Sequence, residues 1–117
     1  MKVLLVDDDP GLLELGSYMV GKRLGHEVHL ARNGVEALKL AAEVEPNVVI
    51  MDIWMPEPDG FQTMYALQEA GYRGVVIMTS ALPGQEVEVA RHGDIPFLAK
   101  PFSLHELEAL LKLGDGS

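Results

Sequence analysis

Residues 48–60 read VVIMDIWMPEPDG. An unbroken apolar run, rich in Val and Ile, ends on a carboxylate, Asp52. Two prolines stiffen the segment behind it, and Asp59-Gly60 marks a turn into a helix. A run without polar alternation suits a parallel strand covered on both faces. The carboxylate then stands at the rim of a sheet, not inside its core.

The same unit recurs on either side of this stretch. Val3–Val6 is followed by Asp7, Asp8 and Asp9, and Val75–Met78 by Thr79 and Ser80. Glu27–Leu30 and Phe97–Ala99 are mixed, as edge strands tend to be, and the second leads into Lys100-Pro101. Helical patterns fill the gaps. Asp9-Pro10 reads as an N-cap and first helical position, opening a helix to about Leu24 before Gly25. Its Gly16 and Gly21 weaken it by about 1 kcal/mol each relative to alanine. Val35, Leu38, Ala41 and Ala42 predict one face of a second helix that ends before Pro46. Phe61, Met64 and Leu67 predict a third, capped by Asp59. The fourth, from about Leu82 to His92, has little apolar face beyond Val87 and Ala90 and should be the least firmly docked. Ser103 and Glu106 form a capping box for a fifth, with Leu104, Leu107, Leu110 and Leu111 at helical spacing. Alternating strands and helices predict an α/β fold built on one open parallel sheet covered on both sides.

The 117 residues suit one domain, expected over residues 1–113 with 114–117 as a short flexible tail. At 48% hydrophobic the chain can bury a core, and without cysteine it has neither disulfides nor a thiolate metal site. A net charge of −9 argues against direct nucleic-acid binding, which needs basic residues to replace phosphate counterions. The opening MKVLLVDDD has too short an apolar run for a signal peptide or a membrane span. The expectation is a soluble, cytoplasmic protein with no membrane contact.

Ligands of open α/β sheets bind at the carboxyl ends of the strands. That rim here collects Asp7, Asp8, Asp52, Thr79, Ser80 and Lys100, while Asp9 is explained by its cap. Hard carboxylate oxygens without cysteine select Mg²⁺ or Mn²⁺ over zinc. Acids, a hydroxyl and an ammonium together suit a metal and a phosphoryl group, and an aspartate can itself be the nucleophile.

The pieces Val6-Asp7-Asp8, Asp52 with Met55-Pro56 and Asp59-Gly60, Thr79-Ser80-Ala81, Gly93 and Lys100-Pro101-Phe102 resemble the receiver domain of bacterial two-component response regulators. The resemblance covers essentially the whole chain. It implies a flavodoxin-like, doubly wound sheet of five parallel strands in order 2-1-3-4-5 with five flanking helices. It implies that Asp52 is a phosphoacceptor served by a sensor histidine kinase or a phosphotransfer protein, as in a phosphorelay. Asp8, Asp52, the backbone carbonyl of Trp54 and, partly through water, Asp7 would then hold Mg²⁺. Thr79 and Lys100 would contact the phosphoryl oxygens, with Lys100 paired to Asp52 at rest. Phe97 would be the aromatic switch, and Ser80, Ala81 and Pro101 would be secondary. The fourth helix, fifth strand and fifth helix would signal to a downstream protein effector, with phosphorylation-dependent homodimerisation as one form of output. By the same resemblance the chain catalyses only its own phosphotransfer and dephosphorylation, and Leu12, Leu13 and Leu15 of the first helix are available to a kinase.

Some residues depart from the family pattern. Phe97 replaces the common tyrosine and loses its hydroxyl. Gly93-Asp94-Ile95-Pro96 differs from the usual Gly-Ala-Asp. Trp54 is bulky and Ala81 small, at two positions that resemble dials for the dephosphorylation rate. The competing reading is a Mg²⁺-dependent small-molecule phosphohydrolase with an aspartyl nucleophile. Such phosphatases carry a second Asp two residues on, where this chain has Trp54. No residues are left for an output domain, so the expectation is a stand-alone receiver, against a longer regulator cut after its fifth helix. The indole of Trp54 is expected beside the site, where Mg²⁺ or beryllofluoride would alter its fluorescence.

Overall fold

The computed structural model describes residues 1–115. Five parallel strands form one sheet in the order β2-β1-β3-β4-β5: β1 (Lys2–Val6), β2 (Glu27–Ala31), β3 (Val48–Asp52), β4 (Val75–Ser80) and β5 (Phe97–Ala99). Between and after them run α1 (Pro10–Ser17), α2 (Gly34–Val44), α3 (Gly60–Glu69), α4 (Gln85–Arg91) and α5 (Leu104–Leu111). The predicted architecture and strand order hold. Among the described residues, no helix is long and apolar enough to cross a membrane.

Side chains alternate across the pleat, so the continuous apolar strands feed two cores. Val3, Leu5, Val48, Ile50, Ile77 and Leu98 pack with Leu13, Val20, Leu107 and Leu111, on the side of α1 and α5. Leu4, Val6, Val49, Met51, Val76 and Met78 pack with α2, α3 and α4 on the other. Two strands outlast their apolar runs. Asp52 ends β3 and stands in register with Thr79 of β4, and Ile53 N–H donates to the Thr79 carbonyl at 2.9 Å. Asp52 and Thr79 are therefore held by the ladder itself.

The caps read from the sequence are present. Asp9 Oδ1 accepts from Gly11 N–H at 2.8 Å, and capping boxes start α3 at Asp59 and α5 at Ser103. The helix faces differ in two places. In α2 the buried residues are Gly34, Ala37 and Ala41, and Val35 is exposed. A β-carbon at Gly34 would collide with Thr63 Oγ1 and stand 2.8 Å from Pro58 Cγ. The close approach of α2 to α3 therefore selects small residues and turns Val35 and Ala42 outward. In α4 the buried residue is Val89, not Val87 or Ala90. The predicted first helix also changes character, since Tyr18–Arg23 continue α1 as a π-helical stretch. The chain runs close to the sheet on either side of this change: a β-carbon on Gly16, in α1, would lie 3.0 Å from Leu5 Cδ1, and one on Gly21, in the π-helical stretch, 3.3 Å from Val28 Cγ2.

At the C-terminus, Lys112–Asp115 form a 3₁₀ turn where the composition predicts a tail from residue 114. Gly114 lies against Val48 and Met1, too close for a β-carbon. Residues 116 and 117, the rest of the expected flexible tail, lie outside the described residues.

Candidate functional site

The ends of β1, β3, β4 and β5 bring five of the predicted residues to one rim. Carboxylate oxygens of Asp7, Asp8 and Asp52 lie within 4.8 Å of one another. Asp7 is buried and fully engaged: its N–H donates to the Ala31 carbonyl at 3.1 Å, Oδ1 accepts from Asp9 N–H at 2.9 Å, and Oδ2 accepts from Lys100 Nζ at 2.7 Å. Asp8 is exposed and Asp52 half-buried. Lys100 is fixed at its backbone by an N–H bond to the Ser80 carbonyl at 2.9 Å. Its ammonium stands 3.5 Å from Asp52 Oδ1 and so sits closer to Asp7 than to Asp52.

Burial pushes the Asp52 carboxyl up to about 6. The charges of Asp7 and Asp8 push the same way, and Lys100 opposes them. Three carboxylates facing one ammonium leave an excess of negative charge, which a divalent cation would neutralise. The donor set is of hard oxygens, so the residues present fit Mg²⁺.

The remaining predicted residues divide. Thr79 is buried next to Asp52. Ser80 is also buried, and its Oγ accepts from Leu82 N–H at 3.0 Å, which assigns it to the turn after β4. Ala81 and Pro101 are exposed, and the Lys100–Pro101 peptide is cis. Phe97 is half-buried against the core on the α3 and α4 side. The indole of Trp54 is exposed, and its Nε1–H donates to Gln85 Oε1 at 2.9 Å. Nothing local in the sequence points to Gln85, because its partner lies 31 residues away.

Gly60 reads in the sequence as part of a turn and proves to be a point of close approach. An added β-carbon would lie 2.5 Å from the Asp52 carbonyl oxygen and 2.7 Å from Ile53 Cα, and Gly60 N–H donates to the Ile53 carbonyl at 2.7 Å. The loop from Asp52 to Gly60 is thereby closed on itself. Beside Asp7 and Lys100, an apolar cavity of about 250 Å³ opens between α1 and the β5–α5 link, lined by Leu12, Leu15, Met19 and Phe102 among others.

Comparison with known proteins gives a consistent result. The family model of the response regulator receiver domain matches residues 3–112. The chain is 36% identical over 113 residues to regulatory protein AtoC of Escherichia coli (strain K12), spanning 95% of this chain and 24% of that protein. It is 36% identical over 115 residues to chemotaxis protein CheY of Listeria monocytogenes, spanning 96% of this chain and 97% of that one. Among solved structures, it is similar to the receiver domain of sensor histidine kinase PA1611 from Pseudomonas aeruginosa PAO1. The TM-score is 0.87 at 28% identity, covering 99% of this chain and 98% of the other, and that structure holds a magnesium ion in its active site cleft. The chain spans half or less of the length of the other regulators it matches first.

Proposed function

We propose, from the premise that this chain belongs to the response regulator receiver domain family, that Asp52 is its phosphoacceptor. Receiver domains are signalling switches and not enzymes in the ordinary sense. The observation that carries the assignment is the placement of Asp52: at the end of β3, within reach of Lys100, beside Asp7, Asp8 and Thr79.

The step is a phosphoryl transfer. A carboxylate oxygen of Asp52 attacks the phosphorus of a phosphohistidine, forming a P–O bond as the P–N bond breaks and the imidazole leaves. At neutral pH the Asp52 carboxyl, pushed up to about 6, is mostly ionised and able to attack. Asp7, Asp8, Asp52 and the Trp54 carbonyl would hold Mg²⁺, which when bound supplies positive charge for the transferred group. Lys100, poised between Asp7 and Asp52, provides a second cation, and the Thr79 hydroxyl donates to a phosphoryl oxygen. Hydrolysis of the acyl phosphate resets the switch. The donor is a sensor histidine kinase or phosphotransfer protein, the receiver of the signal a protein effector, and the site of action the cytoplasm. Phe97 reports the state of Thr79 to the surface of α4, β5 and α5, where a homodimer or an effector forms. Trp54, where a phosphohydrolase would carry its general acid, speaks against the competing reading.

Incubation with acetyl phosphate and Mg²⁺ followed by intact mass tests the assignment. One added phosphate on the wild type, absent from Asp52→Ala, is expected. No addition to the wild type, or equal addition to the variant, would sink it.

A further inference from the structure

The helix α4 is fastened differently from its neighbours. It buries one residue, Val89. Its N-cap, Gly84, has φ 76° and makes no side-chain cap hydrogen bond, and residues 81–84 are all exposed. Two side-chain links tie it to the segment 52–65. At its start, the Trp54 indole donates to Gln85 Oε1 at 2.9 Å. At its end, the His92 imidazole stacks on Phe61 with centroids 3.8 Å apart and planes at 15°, while the Tyr65 hydroxyl and His92 Nδ1 are hydrogen-bonded at 2.8 Å.

The two partners in the first link are unequally held. Trp54 is flanked by Ile53 and Met55, both buried, and Ile53 bonds through its backbone to Thr79 and Gly60. Gln85 belongs to the poorly capped end of a seven-residue helix. The indole is therefore the fixed post and the helix the part that it holds.

We propose that Trp54 at one end, and Phe61 with Tyr65 at the other, are the two fastenings that set the position of α4, with Gln85 the positioning residue through which a change at the Asp52 site reaches it. The coupling rests on the proposed role of Asp52; the fastening does not. This route does not pass through Phe97, and it begins in the loop that carries the acceptor.

Amide hydrogen exchange of residues 85–91 in the full chain, free of metal, decides the fastening. Trp54→Phe and Gln85→Ala should each speed exchange in α4 about two- to five-fold, and the double variant should add nothing, because both remove one bond. His92→Ala should add to either, with α5 unchanged throughout. Unaltered α4 exchange in Trp54→Phe, or additive effects in the double variant, would overturn the proposal. Mg²⁺ with beryllofluoride, its binding followed by fluorine NMR, decides the coupling. The wild type should change its α4 protection, and Gln85→Ala should bind the probe without that change. An equal change in both overturns the coupling. A wild type that binds no probe sinks the acceptor reading and the coupling with it, and leaves the fastening decided by the metal-free comparison.

Discussion

Helices α3 and α4 lie on the same face of the sheet and are held there by different means. The first opens with a complete capping box and buries Phe61, Thr63, Met64 and Leu67. The second opens on a left-handed glycine and buries Val89. Each large apolar side chain taken out of water contributes about 1.5–3 kcal/mol, so α3 is docked by several times the free energy that docks α4. A helix held by area is released only with the domain. One held by an indole hydrogen bond and a ring stack can be displaced at the scale of those contacts, and moving parts are drawn from this low end. The contrast places a rigid helix directly after the acid loop and a yielding one beside it.

The largest expected effect tests that contrast directly. Leu67→Ala should destabilise the domain by about 3 kcal/mol in urea unfolding, and Val89→Ala by about 1–2 kcal/mol. Equal losses would mean that α4 is docked by area after all.

The next effect is electrostatic and global. The Asp52 carboxyl titrates at about 6 in the folded chain, against 3.8 for the free group. Between those values the folded chain holds more protons than the unfolded one, so stability falls as pH rises through this window. Above it an ionised, desolvated Asp52 opposes folding. Asp52→Asn without metal should therefore be more stable by about 1–2 kcal/mol at pH 7 after solvent screening, with the gain fading by about pH 4. A gain that persists at low pH would point to packing in place of charge. Because the gain belongs to the whole domain, it should leave the gap between Leu67→Ala and Val89→Ala unchanged.

The smallest effect separates the two helix starts. Asp59→Ala removes a cap and should lower stability by about 1 kcal/mol, read as a lower urea midpoint with an unchanged slope. Gln85→Ala, lying on an exposed and locally opening helix, should lower stability in the same assay by less than about 0.5 kcal/mol. A larger loss would tie α4 into the global unit.

Much of this is legible in the residues taken in order. The strands show as continuous apolar runs because a sheet covered on both faces leaves no polar alternation to confuse them. The acids show because nothing else explains charges at strand ends. Each departure from expectation has a physical cause. In α2, periodicity puts valine inside, but the close approach to α3 at Gly34 rewards the absence of a side chain. In α4, two valines lie two residues apart on so short a helix that periodicity cannot choose between them. The glycines at 16 and 21 answer to Leu5 and Val28, side chains from other elements. Likewise the bond from Trp54 to Gln85 and the preference of Lys100 for Asp7 are set by the folded positions of distant segments.

The ion pair between Asp7 and Lys100 joins residues 93 positions apart. During translation the acids of β1 and β3 leave the ribosome well before the amine that faces them. Until the fifth strand has emerged and paired with the fourth, the acidic rim has no ammonium and β4 has an open edge. A nascent chain or a fragment that stops short of β5 therefore lacks both the ammonium and the strand that closes this edge. The same geometry makes the pair a natural seam for a split protein, in which rejoining of two fragments would be read out as restored phosphorylation.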